Sequence, residues 1–297
     1  MEWVIFALLS PAFVALTTVF YKFLMTKKFQ GYFSMLSYLV FIDLIFCLII
    51  YLVNPISFLF PYVILATMVG LLPLLQFWFY SKALMVEEVS RITPLLQLIP
   101  IFVVLLSYFF LNENLVEQSC LGIAIMVIAS VLISYKKTKT GSSISSALKF
   151  MIPCNLVASI DIILSKFLLG YLDYWSILFW YLLGSFCGVL LLLTFSKPRK
   201  EFVESVPVVG KRTFFVALVG ECLYFLSQIF WLIAASLANV SSVSALAGLE
   251  PFYVFGFMLF LSLFMPKILK EDVSKDVFFL KILSIALMFI GTFLLAT

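Results

Sequence analysis

Histidine is missing from the chain altogether. Its absence removes the commonest general base and the commonest metal ligand. The sequence also has no HExxH, no paired-aspartate metal motif and no P-loop, so the familiar routes to hydrolysis or phosphoryl transfer are closed. No enzymatic activity, metal or cofactor is expected. Charge is scarce as well: Lys, Arg, Asp and Glu make up 11% of 297 residues, against about 25% in soluble domains. Five cysteines, Cys47, Cys120, Cys154, Cys187 and Cys222, lie in or beside apolar runs and form no CxxC pair, which argues against a disulfide framework or a zinc site. The start of the chain has no basic region and stays apolar well past the core of a signal peptide, so it reads as a first membrane span.

What is abundant is apolar surface, with 64% of residues hydrophobic. At about 20 apolar residues per crossing, the sequence predicts ten transmembrane helices, near 3–25, 32–53, 58–84, 90–111, 118–135, 148–170, 174–195, 213–237, 241–265 and 276–296. The expected fold is all-α and integral to the membrane, with the lipid bilayer as its surroundings. The polar break "KKTKTGSSISS" divides the spans into two groups of five, residues 1–138 and 139–297.

The two groups resemble each other. "YKFLM" around Lys22 aligns with "SKFLL" around Lys166, "QFWFYSKAL" (76–84) with "QIFWLIAASL" (228–237), and "VSRITPLLQLIPIF" (89–102) with "VSSVSALAGLEPFY" (240–253). Three matches in the same order argue for duplication. Because each unit has an odd number of spans, the second enters the membrane from the opposite side and the repeats are inverted, an arrangement suited to alternating access around a central cavity. Pro100 and Pro251 take equivalent positions and are expected to break their helices, giving a hinge or gate.

Ionisable groups inside a span are costly and usually face protein or a wet cavity. Glu221, Tyr224, Gln228 and Trp231 follow i, i+3, i+7, i+10 spacing and share one helical face. They read as a cavity lining, with a carboxyl bonded to a neighbouring helix as the alternative. Glu250 precedes Pro251, where freed backbone and a carboxyl near the midplane fit ligand contact, proton coupling or a purely structural bend. Gln76 and Tyr80 share a face with Pro73, and Gln97 accompanies Pro100; these serve equally as substrate contacts or as bonds between helices. Tyr253 and Trp231 could embrace a cation or an apolar side chain. Asp43 is expected to pack on a basic or hydroxyl partner. Asp161 and Lys166 are not an intrahelical pair, and Lys166 should join the Asn155–Ser159 face toward the cavity or snorkel to the interface. "GSFCG" (184–188) has GxxxG spacing, read as internal packing.

Ten spans in two units, with "LIPIFVVLLSYFFLNENL" (98–115) closing the fourth and "LEPFYVFGFMLFLSLF" (249–264) in the ninth, resemble the EamA family of the drug/metabolite transporter superfamily. Pro100 and Glu113 match its proline and terminal glutamate in the first half. The second half keeps "LEP" but reads "FMPK" where that glutamate is expected. The resemblance implies ten helices around a central cavity and transport of small metabolites without covalent chemistry.

The function expected is therefore secondary transport of a small polar or amphipathic metabolite, specifically export of an amino acid or related compound. Gln76, Tyr80, Gln97, Glu221, Tyr224, Gln228, Trp231, Glu250 and Tyr253 are the expected contacts. Glu221 or Glu250 would couple transport to protons, unless a counter-substrate does so. Uptake of a cationic nutrient on the same fold is the alternative, followed by a membrane enzyme acting on lipid-linked substrates. A monomer or weak dimer is expected, in the plasma or inner membrane, with no nucleic-acid partner.

Basic residues such as Lys27, Lys28, Lys136, Lys137, Arg199, Lys200 and Lys267 gather in the odd-numbered loops, which places those loops in the cytoplasm and both termini outside. A reporter active only in the cytoplasm, fused after Thr297, should stay silent in whole cells; a strong signal would reverse the orientation.

Overall fold

In the structure, a computed structural model, residues 2–29, 31–84, 86, 92–111, 117–138, 141–144, 146–207, 209–250, 252–254, 256–257, 282–284, 286–287, 289–291 and 293–294 are described. Helices dominate. Six of them are long and apolar enough to cross a membrane: Glu2–Met25, Phe33–Val53, Tyr62–Tyr80, Leu148–Leu168, Tyr174–Leu192 and Lys211–Leu237. Shorter apolar helices cover Ile99–Leu111 and Ile282–Gly291. This is a multi-pass membrane protein. Its outer surface agrees, since Leu52, Val53, Phe109 and Phe110 are each at least 70% exposed, a face that only lipid would favour.

In chain order the helices are α1 (Glu2–Lys27), α2 (Tyr32–Val53), α3 (Tyr62–Val69), α4 (Leu72–Leu84), α5 (Ile99–Leu111), α6 (Glu117–Ser134), α7 (Leu148–Leu168), α8 (Tyr174–Leu192), α9 (Ser196–Ser205), α10 (Lys211–Leu237) and α11 (Val240–Ala247). A two-stranded antiparallel hairpin, β1 (Tyr135–Thr138) and β2 (Gly141–Ile144), occupies the polar break after α6, with Tyr135 opposite Ile144.

Proline and glycine shape the departures from the expected spans. The third span is two helices, parted at Gly70–Leu71 just ahead of Pro73, whose ring is tolerated in the first turn of α4. The fourth opens as a 3-10 turn, Thr93–Leu98, and becomes α-helical at Ile99 with Pro100 in its first turn, so the break expected at Pro100 falls at that junction. The ninth stops at Ala247, turns through Gly248 and Leu249, and resumes at Glu250; Pro251 lies outside the described residues. The stretch after α8, expected to be a polar break, contains α9, which docks on α2 by stacking Phe202 on Phe41 with ring centroids 5.4 Å apart.

Packing follows a crossed pattern. Helix α1 lies along α10, and α4 along α7; α1 also meets α11, as α5 meets α7; α2 packs on α8. The principal core runs between these helices, with Leu24, Met35, Ile50, Val69, Leu168 and Ile177 almost wholly buried. The start of α8 is fixed by Asp173, whose Oδ1 accepts from the backbone N–H groups of Trp175 and Ser176 at 3.0 Å each. Trp180 Nε1 then donates to Ser57 O at 3.0 Å, tying the loop before α3 to α8.

The tightest contact is between α3 and α8. A Cβ on Gly184 would fall 2.0 Å from Thr67 O, one on Gly70 would fall 2.1 Å from Tyr181 O, and Ser185 Oγ donates to Gly70 O at 2.7 Å. Gly188 continues this surface toward Leu71 in the turn and Leu74 of α4, so the GxxxG spacing serves packing within the chain. Gly184→Ala should destabilise the detergent-solubilised protein by about 2 kcal/mol, within the range for overpacking. Gly210→Ala, whose Cβ would meet nothing within 4 Å, should leave the melting temperature unchanged; equal melting of the two variants would refute the close approach.

Candidate functional site

A central cavity of about 510 Å³ opens among the helices, lined by residues from both groups of spans. Helix α10 contributes Glu221, Tyr224, Gln228 and Trp231, a single face by helical spacing. Gln76 and Tyr80 of α4, Pro100 of α5 and Glu250 beyond α11 line the same space. Tyr253 is half-buried but not part of the lining, and the side chain of Gln97 is outside the described residues.

Two polar clusters face each other here. In the first, Tyr21 of α1 donates its hydroxyl to Glu221 Oε1 at 2.5 Å, and the Asp43 carboxyl of α2 lies within hydrogen-bonding reach of the Glu221 carboxyl. Glu221 is 1% exposed and Asp43 8%, so neither is served by bulk water. The partner of Asp43 is thus a carboxyl, in place of the basic or hydroxyl group expected for it. Helices α1 and α10 lie side by side here: a Cβ on Gly220 would stand 3.4 Å from the Tyr21 ring, an ordinary van der Waals contact.

In the second cluster, Asp161 of α7 accepts from Tyr181 OH at 3.2 Å and from Ser165 Oγ at 3.3 Å. Tyr224 lines the cavity with Asp161 on one side and Glu221 on the other, and its hydroxyl accepts from Gln228 Nε2 at 2.6 Å. Tyr224 therefore stands between the two carboxyl clusters. Glu250 faces the cavity from the far side, and among the described residues no lysine or arginine is in the lining.

The structure places other polar residues apart from the cavity. Asn155 Nδ2 donates to Leu95 O at 2.7 Å and Ser159 Oγ to Ile99 O at 3.2 Å, so this face of α7 grips the fourth span; the cavity side of α7 is Ala158, Asp161, Ile162 and Ser165. Lys166 does not join the cavity. Its ammonium donates to Ala235 O and, at 2.8 Å, to Ala238 O, satisfying carbonyls at the C-terminal end of α10. On α1 the cavity face is Ser10, Val14, Thr18 and Tyr21. Sequence reasoning missed Tyr21, Tyr181 and Ser244 as lining residues. For Tyr181 the available signal was its i, i+4 relation to Ser185, hidden in the aromatic run "FWY".

Apolar helices enclosing a carboxyl-rich cavity define a multi-pass membrane protein with a polar chamber among its spans. Residues 1–135 match the model of the EamA-like transporter family. Protein LicB of Haemophilus influenzae is 31% identical over 100 residues, a match spanning 34% of this chain and 34% of LicB. A solved crystal structure, 16% identical, shares the fold with a TM-score of 0.62 over 96% of this chain and 94% of its own.

Lys166→Met would strand two carbonyls and should lower thermal stability by about 2 kcal/mol, the scale of hydrogen bonds to a charged donor. Lys166→Arg should recover part of the loss. Unchanged melting of the methionine variant would show that the cap is dispensable.

Proposed function

We propose that the protein is a secondary transporter of a small organic cation, working by alternating access between units 1–138 and 139–297. The observation that carries this reading is the cavity wall. Asp43, Asp161, Glu221 and Glu250 all line it, together with the aromatic rings of Phe77, Tyr80, Tyr181, Tyr224 and Trp231, and no lysine or arginine lines it among the described residues. Carboxylates and ring faces both attract a cation, and the attraction strengthens where water is excluded. An amino acid would bring its own carboxylate into this wall without a counter-charge, so the cavity favours amine-bearing solutes over the zwitterion first expected. The side-chain amide of Gln76 is the feature that keeps the zwitterion as a second reading.

The crossed packing supports the inverted two-unit arrangement. If spans one to five correspond to six to ten, the contact of α1 with α10 is the counterpart of that between α7 and α4. The contact of α1 with α11 likewise corresponds to that of α7 with α5, and α2 with α8 maps onto itself. A site shared between such units can open alternately to either side. The odd loops face the cytoplasm in this reading, both termini lie outside, and the membrane is the plasma or inner membrane.

Purified protein reconstituted into vesicles should carry labelled small amines across saturably under an imposed gradient, and anionic metabolites not at all. Asp161→Asn should reduce amine flux at least tenfold. Absence of flux across a broad panel of amines, or equal flux of anions, would remove this proposal.

A further inference from the structure

The pairing of Asp43 with Glu221 was not foreseen from sequence and is unusual in chemistry. Two carboxyl groups within hydrogen-bonding reach of each other need a proton between them, because two carboxylates offer only acceptors. If both were ionised they would repel with little solvent screening, since both side chains are buried. No described lysine or arginine is at hand to relieve that repulsion. The ionisable groups facing the pair are Tyr21 from α1, Cys47 on the same helix as Asp43, and Cys222 and Tyr224 beside Glu221; Asp161 and Tyr181 stand across the cavity.

Asp161 is built differently. Its donors are the hydroxyls of Tyr181 and Ser165, which stabilise a carboxylate, and among the described residues no second carboxyl bonds to it. A separate observation indicates that the same chamber is made to receive a ligand. Ser244 of α11 is 2% exposed and lines the cavity, yet its Oγ has no hydrogen-bond partner among the described residues. A buried hydroxyl left unpaired is costly, and a polar solute at this wall would satisfy it.

We propose that Asp43 and Glu221 share one proton, held in place by the Tyr21 hydroxyl, and that this pair is the proton-exchange site of the transport cycle, while Asp161 is the seat for the solute's positive charge. The balance is simple. One proton sits on the pair when Asp161 is unoccupied. Arrival of a cation near Tyr224 compensates a second negative charge and lets the proton leave to water on whichever side the cavity is open. Proton and solute then compete for the same negative field, which is the condition for exchange in opposite directions. The assignment of roles during transport rests on the cation-transport reading above, whereas the shared proton does not.

Infrared spectroscopy of the purified full-length protein at neutral pH separates the two. The wild-type protein should show a protonated-carboxyl stretching band that shifts on exchange into heavy water. The band should vanish in both Asp43→Asn and Glu221→Gln, persist in Asp161→Asn and Glu250→Gln, and move to higher frequency in Tyr21→Phe, where one hydrogen bond to the pair is lost. Glu221→Asp keeps a carboxyl at the site and should retain a shifted band, which guards against loss through misfolding. Retention of the band in either Asp43→Asn or Glu221→Gln, its loss in Asp161→Asn, or no band in the wild type would overturn the shared proton. Failure of amine flux with the infrared pattern intact would instead strike the transport reading alone.

Discussion

The contact on which the rest of the structure depends is the meeting of α3 and α8 backbone to backbone. Gly70 and Gly184 leave no room for a methyl group on either side, and the Ser185 hydroxyl bridges to the Gly70 carbonyl in the gap. In a bilayer there is no hydrophobic gain from bringing two apolar helices together, because lipid tails are as apolar as leucine. Close van der Waals contact and interhelical hydrogen bonds must supply the attraction. Drawing α8 against α3 sets the depth and rotation of Tyr181, one turn from Ser185, and so places the hydroxyl that reaches Asp161. A substitution that pushed the two helices apart would reach the cavity through that tyrosine.

Polar groups within the membrane here fall into two populations. One fastens helices: Asn155 and Ser159 hold the fourth span, the Ser107 and Ser241 hydroxyls meet at 2.7 Å between α5 and α11, and Lys166 holds the end of α10. The other lines open space: carboxyls and phenols, with the amides of Gln76 and Gln228 and several hydroxyls between them, and no lysine or arginine among the described residues. The division separates positive charge from negative. Lysine is consumed at a helix terminus, where carbonyls compensate it, and the carboxyls remain facing the cavity.

How much of this could be read in advance follows from which interactions are local. The stripe Glu221, Tyr224, Gln228 and Trp231 was legible because a helix imposes its 3.6-residue period on one segment, and all four residues share the cavity. The span positions were legible for the same reason, from length and hydropathy. The cavity face of α1 was not: nearly every residue of that helix is apolar or small, so the period gives no phase. Nor could the partner of Asp43 be read, since Tyr21, Asp43 and Glu221 come together from three helices up to 200 positions apart. Helix α9 was missed because its composition is that of a loop, and its apolar contact, Phe202 on Phe41, exists only after folding.

The lysine at the end of α10 has a mechanical consequence. Lys166 belongs to α7, its carbonyl partners Ala235 and Ala238 flank the corner between α10 and α11, and α11 begins two residues later at Val240. That corner is riveted to a third helix by two charge-assisted bonds. Any motion that swings α11 relative to α1 must carry α7 with it or tear the rivet, so α7, α10 and α11 form one lever arm, and Asp161 rides on it.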